Sequence, residues 1–61
     1  MRIEAKKLMM EIMKNFPNPD YETKKLAMAL ISISAGISER KEQEKNEILT
    51  EAREKLLKQS A

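Results

Sequence analysis

The chain has no cysteine, no histidine, no tryptophan and one glycine among its 61 residues. Without Cys and His it loses the thiol nucleophile, the commonest general base and the usual zinc ligands. A chain of this length buries only about 60% of its unfolded surface, and small domains often add disulfides or a structural metal. Both routes are closed, so the fold must rest on well-formed helices or on a partner. Missing cysteine does not indicate a compartment, because a disulfide-free domain works in either redox setting. Long apolar runs are missing too. The longest, Leu26 to Ile31, stops at Ser32, far short of the ~18–20 residues that span a bilayer. Lys14 ends the run after Leu8, so the N-terminal segment lacks a secretory pattern. A soluble, single-domain protein over 1–61 is expected, with no membrane association and no indication of where it resides.

What remains is helix-forming: Lys, Glu, Ala, Leu, Ile and Met dominate, and Val is absent. Straight-chain residues lose little rotamer freedom in a helix. Net charge is +2, from 12 basic and 10 acidic residues, an excess too small to form a nucleic-acid-binding stripe.

Punctuation divides the chain into three helices, about 2–15, 19–35 and 39–59. Phe16 precedes Pro17, which disfavours helical backbone there. Asn18-Pro19-Asp20 reads as a helix start, with Asn18 as cap, Pro19 at the first helical position and Asp20 complementing the dipole. Gly36 suits a left-handed helix end, with Ile37 folding back as its apolar contact. Ser38 then caps helix 3 and Glu39 opens it. A continuous helix through Gly36 is the competing reading, since an internal glycine costs only about 1 kcal/mol. Short connections make consecutive helices antiparallel neighbours. The expected architecture is therefore an all-α antiparallel three-helix bundle.

At roughly 100° per residue, helix 1 places Ala5, Leu8, Met9, Ile12 and Phe16 on one stripe. Met13 lies at its edge, and Ile3 and Met10 fall outside it among lysines. Helix 2 carries two stripes. Leu26, Leu30, Ile33 and Ile37 form the first, with Thr23 ahead of them. Tyr21, Met28, Ile31 and Ala35, with Lys24 among them, form the second on nearly the opposite side. Small residues separate the two: Ala27 and Ser34 on one flank, Ala29 and Ser32 on the other. Helix 3 has no apolar residue from Glu39 through Glu47, and its stripe runs through Ile48, Leu49, Ala52 and Leu56. Lys41 and Lys45 extend that stripe backwards, with stems able to lie on apolar neighbours.

A bundle helix normally turns one apolar face inward. If the first stripe of helix 2 is core, the second is exposed, and a contiguous apolar patch on a small monomer marks an interaction site. The candidate partner-binding residues are Ile3, Met10, Met13, Tyr21, Lys24, Met28, Ile31 and Ala35. Arg2, Lys6, Lys14 and Lys24 would rim the patch and favour a partner with an acidic surface. Taken singly, such residues are more often ordinary core or solubilising charge.

No catalytic constellation is present. Ser32, Ser34 and Ser38 have no base partner, and no glycine-rich phosphate loop occurs. Glu44, Glu47 and Glu51 share a face of helix 3, but bundle metal sites need carboxylates converging from several helices. No enzyme activity, metal or cofactor is expected. Lys24-Lys25-Leu26-Ala27 with Ala35-Gly36-Ile37-Ser38-Glu39-Arg40-Lys41 loosely resembles a DNA-reading helix-turn-helix pair, a lesser alternative. A recognition helix opening on Glu39, Glu42 and Glu44 would repel phosphate, however, so nucleic acid is not an expected partner.

In length, caps (Asn18-Pro19-Asp20, Gly36, Ser38) and i,i+4 pairs such as Glu51–Lys55, the whole chain resembles de novo designed three-helix miniprotein binders. That resemblance implies one or two helices presented to a target protein, here helices 1 and 2. A fainter similarity links Glu11-Ile12, Pro17-Asn18 and Glu51-Ala52 to the immunoglobulin-binding three-helix modules of bacterial surface proteins, from which no binding residue carries over. Five methionines and a polar start to helix 3 depart from idealised design. A natural domain that homodimerises through helix 2 is the alternative, with a monomer expected ahead of it.

Overall fold

Pro17 and Pro19 hold the first connection out of helical geometry, and Gly36 ends the second helix. The computed structural model accordingly shows α1 (Ile3–Asn15), α2 (Tyr21–Ala35) and α3 (Glu42–Ser60) packed as an antiparallel three-helix bundle. It describes residues 2–60, so the single-domain reading of 1–61 extends beyond them at Met1 and Ala61. All three helices pack against one another within 30 × 20 × 18 Å.

The core draws one stripe from each helix. Ala5 and Ile12 of α1, Leu26, Leu30 and Ile33 of α2, and Leu49 and Ala52 of α3 form one buried cluster. Leu8, Met9, Phe16, Ala27, Ile48 and Leu56 pack around it, half-buried. Ala5 and Ala52 have no exposed surface, and their small side chains let helix backbones approach closely. The first stripe of α2 is therefore core, with one exception. Ile37, expected to continue it, is 72% exposed, because the chain turns at Gly36 before Ile37 can join the helix.

That turn has Schellman geometry. Gly36 adopts φ 76°, ψ 18°, and its N–H donates to the Ile33 carbonyl while Ile37 N–H donates to the Ser32 carbonyl, each at 3.1 Å. This removes the continuous-helix alternative.

Two helix starts differ from expectation. Asp20, not Asn18, caps α2, its Oδ1 accepting from Thr23 N–H at 2.8 Å. Pro19 thus lies outside the helix and before the cap. An aspartate caps as well as an asparagine, and this choice leaves both prolines in the turn. α3 begins at Glu42, not Glu39. Ser38 Oγ accepts from Arg40 N–H within the loop, while Glu44 reaches back to Lys41 N–H at 3.4 Å. A Glu at the third helical position bonding the cap residue's N–H is half of a capping box, which sets the start three residues later.

Candidate interaction surface

On α1, Glu4, Lys7, Glu11 and Lys14 alternate along one line of the helix at spacings of three and four, while Lys6 lies on the side of Met10 and Met13. Glu4 accepts from Arg53 Nε of α3 at 2.6 Å and forms an ion pair with the same guanidinium. Glu11 lies two turns further along the same line of the helix. Arg2, expected at the rim of the patch, instead turns to α3, where it pairs with Glu42 and donates to Asn46 Oδ1 at 3.0 Å. On α2, Glu22 faces α3 as well, across a cleft it shares with Glu51. Glu4 and Glu22 thus face α3. Lys6 and Lys24 are exposed on the outer side of the α1–α2 pair, and Lys14 borders it beside Met10.

The same side carries the apolar residues that the core omits. Ile3, Met10 and Met13 of α1 are exposed, as are Tyr21, Met28 and Ala35 of α2; Ile31 is partly shielded at 46%. Helical phase orders them about the seam between the two helices. On α2, Ala27 and Ser34 sit half-buried at the seam, Ile31 and Lys24 come next, and Ala35 and Met28 lie further round. Tyr21 stands furthest from α1, and its ring lies 5.3 Å from Lys25 Nζ. On α1, Met13 and Lys6 flank the seam, followed by Met10 and Ile3. Because the helices are antiparallel, Ile3 and Ala35 share one end of the bundle, and Met13 and Tyr21 the other.

The seam's polar groups are satisfied internally. At the seam the Ser34 hydroxyl donates to the Ile31 carbonyl, and on the opposite flank of α2 the Ser32 hydroxyl donates to the Ala29 carbonyl, each at 2.9 Å, a local bond open to serines within helices. No buried side-chain nitrogen or oxygen among the described residues lacks a partner. The surface thus offers contact area without unmet hydrogen bonds.

Sequence reasoning missed a recess at the turn end of this seam. Ile12, Met13 and Phe16 of α1 and Thr23 and Ala27 of α2 line a cleft of about 170 Å³, closed at one end by the two prolines. The signal available was the pairing of a small residue, Ala27, with a proline-bounded turn. Behind it, Lys55 Nζ of α3 sits 5.5 Å from the Phe16 ring centroid and covers that ring's α3 side.

The polar start of α3 has its own consequence. A larger cleft of about 390 Å³ opens between α2 and α3, with Leu26, Ala29 and Ile48 at its floor and Glu22, Lys25, Arg40 and Glu51 around it. Lys45 is half-buried in the backward extension of the α3 stripe, whereas Lys41, expected to join it, is exposed. With both charge signs at its edge, this cleft is self-compensated.

Among the described residues no group of His, Cys, Asp or Glu is placed to hold a metal ion, and no helix is long and apolar enough to cross a membrane. No family model, no curated protein and no solved structure matches the chain.

Proposed function

We propose that this protein is a protein-binding module, without catalysis, that docks the outer face of α1 and α2 onto an acidic surface of a target protein. One observation carries the reading: α2 buries Leu26, Leu30 and Ile33 while leaving Met28 70% and Tyr21 74% exposed on its far side, in line with Ile31 and Ala35. Exposed apolar patches of this kind mark interaction sites. Methionines adapt to uneven partner surfaces, and tyrosine is enriched at hot spots. Lys6, Lys14 and Lys24 border the patch, which suits an acidic partner and speeds encounter with it. The resemblance to designed three-helix binders, which present such a pair of helices, points the same way.

The test separates fold from contact. A double substitution, Met28→Glu with Ile31→Glu, is expected to keep the helicity and melting temperature of the parent. Leu30→Ala, in the buried cluster, is expected to cost about 2–5 kcal/mol. Binders selected from a display library against the parent should lose the double variant and retain Glu47→Gln on α3. Loss of stability in the double variant, or binders that ignore it, would defeat the reading.

A further inference from the structure

We infer that the recess between α1 and α2 takes one leucine- or phenylalanine-sized side chain from an acidic amphipathic helix lying along the seam. The inference rests on the docking reading and specifies the partner's chemistry. Size comes first. An apolar cavity of about 150 Å³ holds a benzene ring, and the recess offers about 170 Å³. Its walls are the carbon surfaces of Ile12, Met13, Phe16 and Ala27, with Thr23 98% buried beside them. A deep apolar contact surrounded by shallower ones is the usual form of a binding hot spot.

Shape comes next. Ala27 and Ser34 keep the seam low, while Met13 and Met10 on one side and Ile31 on the other stand exposed beside it. A trough between two antiparallel helices accepts a third helix, whose apolar residues at i, i+3, i+4 and i+7 would follow it.

Charge decides which helix. Lys6 and Lys24 are the exposed bases that flank the trough, while Glu4 and Glu22 face α3 and Glu11 lies between Lys7 and Lys14 on the far side of α1. Asp20, the acid nearest the recess, is committed to Thr23 as the helix cap. A second copy of this chain would bring lysines against lysines across a two-fold axis, since such an interface pairs one patch with itself. An acidic helix meets no such repulsion. A lipid surface would favour a continuous apolar face over a recess sized for a single side chain.

The probe is a library of amphipathic helical peptides. Its flank positions are Glu, Gln or Lys in equal proportion, and its central apolar position is Ala, Leu or Phe. Panned against the full chain, it should enrich Glu flanks and a Leu or Phe centre. Exchanging Glu for Lys, or the central residue for Ala, should each weaken binding about tenfold. Ala27→Met, which fills the recess, should erase the preference for a large central residue. Should that variant fold poorly, Lys6→Glu with Lys24→Glu should reverse the flank preference instead. Binders that lose affinity with Met28→Glu and Ile31→Glu but show no preference for acid or a large centre overturn this inference and leave the docking reading intact. A failure to recover any binder sensitive to those two substitutions overturns both. Displacement of the peptide by phosphatidylglycerol vesicles, but not by phosphatidylcholine vesicles, assigns the face to lipid and overturns the inference.

Discussion

Asp20 is exposed, yet its carboxyl titrates below its ordinary value of 3.8. The largest cause is the hydrogen bond from the Thr23 side chain, then the bond from Thr23 N–H; Lys55 adds a smaller attraction, and partial desolvation opposes them. One carboxylate therefore satisfies a free helix N–H and interacts with the side chain of Thr23, the buried polar residue of the core. A group whose folded value lies below its unfolded one stabilises the fold above the unfolded value and loses that contribution as pH falls through the folded value. Asp20→Asn keeps a capping oxygen that does not titrate. The melting temperatures of parent and Asn variant should therefore run parallel from pH 5 to 7 and separate below about pH 4, the parent falling further. Asp20→Ala should lower the melting temperature by several degrees at neutral pH. Thermal melts monitored by circular dichroism across pH 2–7 decide it, and parallel curves throughout would show that the carboxylate's bonds contribute nothing to folding.

At the scale of the helices, legibility followed how local each signal is. Gly36 was readable because one conformation, open at no steric cost only to glycine, was required at one residue. The start of α3 was not, because Ser38, Glu39 and Glu44 all carry acceptors that can serve a helix end. The choice depended on Glu44 reaching back to Lys41, which no single position announces. The core stripe of α2 was visible as a pattern, but its polarity was not: two apolar stripes on one helix look alike until α1 and α3 are packed against one of them. The turn-end recess brings together three separated segments, of which the sequence announced only the small Ala27 and the proline-bounded turn. The Gly36 assignment makes its own prediction. A Cβ there meets nothing within 4 Å, so the cost of Gly36→Ala is conformational alone, about 1 kcal/mol. In a domain this small that lowers the melting temperature by about 4–8 °C. Gly36→Asn, which tolerates the left-handed region better, should lose less. Equal losses for Ala and Asn would place the energetic role of Gly36 elsewhere.

Across the whole molecule, charge and apolar area are arranged in opposition. Glu4 of α1 and Glu22 of α2 are turned toward α3, where Glu4 meets Arg53 and Glu22 borders the α2–α3 cleft. That arrangement leaves Lys6 and Lys24 exposed beside Met10, Met13, Met28 and Ile31, with Lys14 at the edge of the patch. An apolar patch on so small a body would ordinarily drive self-association. In a two-fold dimer the same lysines would approach their own copies, and like charges across an interface are costly. Repulsion between exposed charges weakens as salt shortens the screening length to about 8 Å near physiological ionic strength. The chain is therefore expected to sediment as a monomer at micromolar concentration in low salt. Replacing Lys6, Lys14 and Lys24 with Gln should promote dimers under the same conditions, because the patch is retained while its repulsion is removed. Adding Met28→Glu and Ile31→Glu to that triple variant should restore the monomer. Sedimentation velocity over a range of concentration and salt reads all three states. A parent chain that is already dimeric in low salt would show that the lysines do not hold copies apart, and the case for an acidic partner would lose its electrostatic ground.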